Sequence, residues 1–268
     1  MDLQGQTALI TGASTGIGAV FARALAARGA DVVLVARDKD RLRAVADQIV
    51  AGHGVRAQVV AADLSDPGAV DVIADQVAAA GGRVDLLVNN AGFGAHGDLA
   101  VADPVRLADM VRLNCVAVVA LTARFLPAMV ARGQGAVVNV ASTAAFQPLP
   151  HMAVYGASKA FVLSFSEALG AETRPAGVRV LALCPGATET PFFDVVGTRD
   201  GVVGAVRTPE QVVACALRAL QRGRPIAIDG RRNALLARGG RLLPRRLLVR
   251  IAERSMRPTS VRPTSVRP

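Results

Sequence analysis

Tyr155 and Lys159 stand four residues apart in the run Tyr-Gly-Ala-Ser-Lys, so on a helix they share one face. A tyrosine with its ordinary pKa of about 10 is a poor acid–base catalyst at neutral pH. A neighbouring ammonium favours the phenolate and brings the phenol into working range. Tyr155 is the only tyrosine in the chain. Upstream, Ser142 offers a hydroxyl to a substrate carbonyl oxygen. Asn114, between Leu113 and Cys115, is an amide that needs partners if buried, and a water leading to Lys159 would be one. A Tyr-x3-Lys pair arises easily by chance, so its weight depends on the elements that position it.

Those elements follow from the alternation of short apolar runs with segments of helical period. Strands are predicted at 7–11, 32–36, 57–63, 84–90, 135–142, 178–186 and 225–230. Helices are predicted at 16–29, at 38–50, from Asp66-Pro67 onward, and at 104–131, 152–173 and 209–222. Strands separated by helices imply βαβ units. The fold expected is α/β, a single Rossmann-type, doubly wound parallel sheet with helices on both faces, over residues 1–230. Ligands of such sheets bind beyond the carboxyl ends of the strands, and Ser142 falls there.

So does a glycine loop. Residues 11–18, Thr-Gly-Ala-Ser-Thr-Gly-Ile-Gly, join the first strand to the first helix. Gly12 permits the turn, Gly16 lets backbone approach a pyrophosphate, and Gly18 allows close helix–sheet packing. Ser14, Thr15 and Ile17 complete the loop, and the helix amino terminus offers unpaired N–H groups to phosphate. The second strand ends at Ala36-Arg37 and not at an acid. A guanidinium there pairs with a ribose 2′-phosphate, which favours NADPH/NADP+ and leaves NADH as the weaker alternative. The bland alternative is a solvated arginine at a helix start, and Asp38 would blunt the preference. Asp63-Leu64 is placed to meet an adenine, or is a plain capping acid and loop. Asn89, Asn90, Ala91 and Gly92 suit a backbone that passes close to a ligand, with asparagines that can lock adjacent strands. Pro185-Gly186 ends the sixth strand sharply, and Thr188 and Thr190 follow where a carboxamide would bind.

Taken together, these residues resemble the short-chain dehydrogenase/reductase family. The loop at 11–18, Asn89 to Gly92, Asn114, Ser142, Tyr155 to Lys159 and Pro185 to Thr190 occur in that family's order and spacing over about residues 5–230. The resemblance implies a seven-stranded sheet and an Asn–Ser–Tyr–Lys tetrad. In it Tyr155 protonates the nascent alkoxide and Ser142 positions the carbonyl. Lys159 lowers the tyrosine pKa and holds the nicotinamide ribose, and Asn114 supports a relay water. It also implies a homodimer or homotetramer formed through the helices at 104–131 and 152–173. Within the family the chain is similar to bacterial ketoreductases of the ketoacyl and hydroxysteroid branch. The expected activity is NADPH-dependent reduction of a hydrophobic ketone or aldehyde. Oxidation of the alcohol with NAD(P)+ uses the same residues and stays open, as does a dinucleotide-binding or membrane-docked protein without turnover. Phe93, Phe146, His151, Met152, Phe192 and Phe193 are candidates for the substrate walls, with residues 187–208 closing over them; half of the aromatics could equally be core.

Composition constrains the remainder. The chain is 51% hydrophobic and 19% charged, enough apolar material for a large aliphatic core. The start has no basic region before an apolar stretch, and the apolar runs break well short of a bilayer span, so a cytoplasmic protein is expected. Cys115, Cys184 and Cys215 are widely separated and read as small buried hydrophobes, with no metal site. Eleven arginines and a single acid lie in residues 231–268, and the rest of the chain balances twenty basic against twenty acidic side chains. The net charge of +10 is thus a property of a basic amphipathic extension, expected as more than one short helix. Over 231–257 it would lie on an anionic membrane surface or pack on a neighbouring subunit. Nucleic acid is not expected as a partner, because stacking aromatics are absent there. The repeated Arg-Pro-Thr-Ser-Val at the end reads as disordered.

Overall fold

Along Thr7–Thr11, Ala8 and Ile10 enter one hydrophobic cluster and Leu9 the other, as a pleat of period two requires. That strand, β1, lies near the middle of a sheet buried on both faces. The computed structural model describes residues 2–197, 205–239 and 244–257. Its other strands are β2 (Asp31–Ala36), β3 (Ala57–Ala61), β4 (Leu86–Asn89), β5 (Gly135–Val140), β6 (Val178–Cys184) and β7 (Ile226–Ile228). They pair in the order β3-β2-β1-β4-β5-β6-β7, every pair parallel. This is the expected α/β sheet of seven strands. The chain winds outward from β1 to β3 and then crosses to β4. The carboxyl ends of β1 and β4 therefore flank the topological switch where such sheets bind ligands.

The helices are α1 (Gly16–Ala26), α2 (Lys39–His53), α3 (Ala69–Ala79), α4 (Pro104–Val111), α5 (Ala117–Ala131), α6 (Ala153–Thr173), α7 (Phe192–Val196), α8 (Pro209–Gln221), α9 (Arg231–Gly239) and α10 (Arg245–Met256). Phe21, Leu42 and Leu217 bring α1, α2 and α8 onto one face. Ile73, Phe125 and Leu169 bring α3, α5 and α6 onto the other. Local signals set the helix starts. The Asp38 side chain accepts from Arg41 N, Asp103 caps Val105 N ahead of Pro104, and Thr208 forms a capping box with Gln211.

Several expectations are corrected. Asp66-Pro67 makes a turn, with Ala69 N bonded to the Asp66 carbonyl, and the helix begins only at Ala69. The helix expected over 104–131 runs without a break but contains a π turn at Arg112–Val116, around Asn114. As a whole, Pro104–Ala131 is long and apolar enough to cross a membrane, contrary to the reading from apolar runs. Its Met110, Leu121, Phe125 and Met129 are nonetheless buried against the domain. β3, β4, β5, β6 and β7 each end short of their apolar runs. Of the cysteines only Cys184 is buried; Cys115 and Cys215 are half-exposed. The basic extension forms two short helices over its described residues, as expected. The Arg-Pro-Thr-Ser-Val repeat and residues 198–204 of the closing segment lie outside the described residues.

Candidate active site

The glycine loop is held by β4. Thr11 Oγ1 accepts from the backbone N–H groups of Asn90 and Ala91 at 2.9 and 3.0 Å and donates to the Val88 carbonyl. Asn90 Nδ2 donates to the carbonyl of Thr11 at 2.8 Å. Gly12 and Gly16 sit at φ of 64° and 54°, which glycine alone adopts without strain. A Cβ on Gly18 would lie 2.2 Å from the Gly12 carbonyl oxygen, so α1 packs against the loop only because that atom is missing. The Thr15 side chain makes no capping bond at α1, leaving its first N–H groups directed outward. These features fit the pyrophosphate of a dinucleotide. Ser14, Thr15 and Gly16 also line a cleft of about 460 Å³ that reaches Pro191 and Thr208.

At the adenosine end, Arg37 is 80% exposed and meets Asp63 Oδ2 at 3.6 Å. Burial raises the Asp63 carboxyl, but bonds from the Ser65 hydroxyl and amide, with the Arg37 guanidinium, outweigh it and hold the carboxyl below its ordinary value. Leu64 beside it is buried. Asn89 does lock strands, donating to Asn139 Oδ1 on β5 at 2.8 Å and to Thr122 Oγ1 at 3.1 Å.

Across the switch, Ser142 follows β5 and hydrogen-bonds Tyr155 on α6. Lys159, one turn further along, is buried and donates to the Val140 carbonyl at 2.9 Å. Its Nζ lies 5.9 Å from the Tyr155 ring centroid. Part of Tyr155 reaches solvent, yet burial pushes its phenol up, with the Ser142 bond pulling the other way. The net shift is opposite to the expected lowering by Lys159: desolvation dominates, and the ammonium points to a carbonyl and not to the phenol oxygen. Burial lowers Lys159 itself to about 8, against a weaker upward pull from Cys115 and Cys184.

Asn114 is buried in the π turn. Its Oδ1 accepts from Phe93 N at 3.1 Å, and its Nδ2 donates to the Phe93 carbonyl and to Ser158 Oγ, both at 3.0 Å. These protein partners let the amide fasten the Gly92-Phe93 backbone to α6. A Cβ on Gly92 would press on Asn114 Oδ1 and Lys159 Nζ.

Gly94 is the meeting point of the substrate walls. From the position of its absent Cβ, Phe192 Cζ lies 2.9 Å away, and Met152 Cε and Tyr155 Cδ2 both lie 3.3 Å away. Phe192 rests on Tyr155 with centroids 5.5 Å apart, and Phe193 packs edge-on behind it. Phe93 lies under the Arg106 guanidinium, which also donates to the Val195 carbonyl and so ties α4 to α7. Two expected wall residues are placed differently. Phe146 packs on the core cluster of Ala141, Val162 and Cys184. His151, at φ 61°, turns its Nδ1 to Asp98 at 2.6 Å and its buried Nε2 toward Glu253 of α10, so both ring nitrogens face carboxylates.

Pro185 accepts from Thr143 N, and Gly186 leaves room for Asn233 of α9. The Thr188 hydroxyl turns back to the Gly186 carbonyl, while the Thr190 methyl covers Gly16. Thr11, Ser158, Arg106 and Asn233 were not singled out from the sequence. Only Thr11 carried a local signal, its place just before the glycine loop. Ser158 and Arg106 act through partners 44 and 89 positions away, and Asn233 through packing on Gly186.

Comparison with known proteins agrees with this geometry. The family model described as short chain dehydrogenase matches residues 6–200. A short chain dehydrogenase of Pseudocercospora fijiensis is 41% identical over 70% of this chain and 62% of its own length, so the chain spans under two thirds of that relative. A protein of Streptomyces violaceoruber, named as a ketoacyl reductase of the granaticin polyketide synthase, is 38% identical over 70% of each chain. A short-chain dehydrogenase from Sphingobium yanoikuyae, solved in complex with NADPH, superposes with a TM-score of 0.81 at 36% identity. That match covers 88% of this chain and 94% of the other.

The burial of Lys159 has a measurable consequence. The unfolded chain binds its proton up to the ordinary lysine value of 10.5 and the folded chain only up to about 8, so this group makes stability rise with pH across that window. Below it the buried ammonium is a cost. Lys159→Met should therefore melt several degrees higher at pH 7 by calorimetry, with the gain shrinking toward pH 10. A variant that melts lower at pH 7 contradicts the burial account.

Proposed function

The chain belongs to the short chain dehydrogenase family and is a nicotinamide-dinucleotide-dependent oxidoreductase; from that premise we propose that it is an NADPH-dependent reductase of a hydrophobic ketone or aldehyde. The observation that carries this reading is the meeting of Ser142, Tyr155 and Lys159 at the end of β5, two strands from the glycine loop. NADPH supplies a hydride to the carbonyl carbon when bound, held by Gly12 to Gly18, Asn90 to Gly92 and Pro185 to Thr190. The Ser142 hydroxyl donates to the carbonyl oxygen and orients it. Tyr155 delivers its proton to the same oxygen as negative charge develops there. Lys159 holds the nicotinamide ribose and, as an ammonium, stabilises the phenolate left behind. Asn114 positions the Gly92-Phe93 backbone, and the family resemblance adds a water that returns the proton.

NADPH over NADH is supported by Arg37, exposed and only loosely tied to Asp63. The names of two relatives point the same way, one a ketoacyl reductase and the other bound to NADPH. Phe192 and Met152 around Tyr155 favour an apolar substituent on the substrate.

We further propose a homo-oligomer. An apolar groove of about 690 Å³, lined by Val111, Val116, Val119, Val154, Ala157 and Phe161, lies along α5 and α6 and suits the same face of a second copy.

Tyr155→Phe should lower kcat by about 10²–10⁴-fold while leaving NADPH affinity nearly intact; unchanged turnover refutes the mechanism. Arg37→Ala should reduce the NADPH-to-NADH ratio of kcat/KM by about tenfold or more, and an unchanged ratio removes Arg37 as the phosphate clamp. Light scattering on Phe161→Glu should show a smaller species than the parent chain. Equal masses would place the interface elsewhere.

A further inference from the structure

The two C-terminal helices hold a concentration of charge that the catalytic site does not use. One side of α10 is fastened to the domain. Ala252 and Met256 are buried, and the Met256 carbonyl lies 2.8 Å from His96 Nε2. Glu253 faces His151 at 3.9 Å and pairs with Arg257. The residues it contacts belong to the rim of the cleft. His96 is two positions from Gly94, and His151 directly precedes Met152.

The opposite side of α10 carries Leu247, Arg250, Ile251 and Arg254, spaced to form one stripe. Leu247 and Ile251 are 44% and 49% exposed. Among the described residues no carboxylate pairs with Arg245, Arg246, Arg250 or Arg254, since Glu253 is turned inward. On α9, Asn233 and Ala237 pack inward, while Leu235 and Leu236 are 73% and 59% exposed beside Arg231 and Arg232.

We propose that the outward face of α9 and α10 docks on an anionic lipid surface, setting the rim of the substrate cleft against the bilayer. Aliphatic side chains interleaved with unpaired arginines match such a surface on both counts. The leucines and isoleucine enter the acyl boundary, and the long arginine stems let guanidinium groups reach lipid phosphates. A second copy of this chain is a poor occupant. Two faces of this sign repel, and the remainder of the chain, with equal acidic and basic counts, has no excess negative charge to answer them. A soluble polyanion would satisfy the arginines but leave the aliphatics in water.

Flotation of the full chain with vesicles of phosphatidylcholine, alone or with one quarter phosphatidylglycerol, tests the proposal. The chain is expected to float with the anionic vesicles and stay down with the neutral ones. Arg250→Gln/Arg254→Gln should lower the partition coefficient roughly 30-fold, at about 1 kcal/mol for each arginine near the surface. Leu247→Ser/Ile251→Ser should lower it as well, with the melting temperature of both variants checked to show that the fold is kept. Failure to float with anionic vesicles overturns the proposal. So does a serine variant that floats like the parent, the result expected if the arginines serve DNA or an acidic protein.

Discussion

The hydroxyl of Thr11 is bonded at once to the Val88 carbonyl and to the N–H groups of Asn90 and Ala91. This small junction joins β1 to β4 where the sheet changes winding direction, and the rest of the site is hung from it. On the β1 side it fixes the glycine loop, whose turn Asn90 Nδ2 grips from the other strand. On the β4 side it fixes the backbone that runs through Gly92 to Gly94. Gly92 abuts Asn114 and Lys159, and Gly94 abuts Tyr155, Met152 and Phe192. The glycine loop and the residues around Tyr155 and Lys159 are therefore joined through one stretch of backbone, which Gly92 and Gly94 keep free of side chains.

This arrangement comes at a thermodynamic cost concentrated in α6. Lys159 keeps an ammonium in an interior that disfavours charge, with one carbonyl as its bonded partner. The same desolvation keeps the Tyr155 phenol protonated. Strained or destabilised groups of this kind are expected where function, and not stability, sets the residue.

The C-terminal helices relate to the site differently. Asn233 of α9 occupies the space that a side chain at Gly186 would need, and α10 closes on His96 and His151. The extension is thus in contact with both the segment after β6 and the rim of the cleft, while Arg231, Arg232, Arg245, Arg246, Arg250 and Arg254 are exposed. Charge that looks like a tail property in one dimension borders the cleft in three.

The sheet, its parallel winding and the glycine loop were legible in the sequence because they rest on local rules: apolar runs, glycine spacing, and caps such as Asp38 and Thr208. Tyr155 and Lys159 were legible for the same reason, since a spacing of four on a helix puts two residues on one face. Other features depend on neighbours remote in the chain. Nothing near Asn114 announces the π turn or its bond to Ser158, and nothing near His151 announces Asp98. Likewise, the spacing of Tyr155 and Lys159 suggested a phenol pulled down by an ammonium. Burial of the phenol, with Phe192 of α7 resting on its ring, reversed the sign. By itself, then, the sequence determined the fold class and the shared helix face of Tyr155 and Lys159, because these follow from periodicity and residue type. The tertiary structure decided their protonation, their partners and which aromatics line the cleft, because those depend on burial and on contacts between residues far apart in the chain.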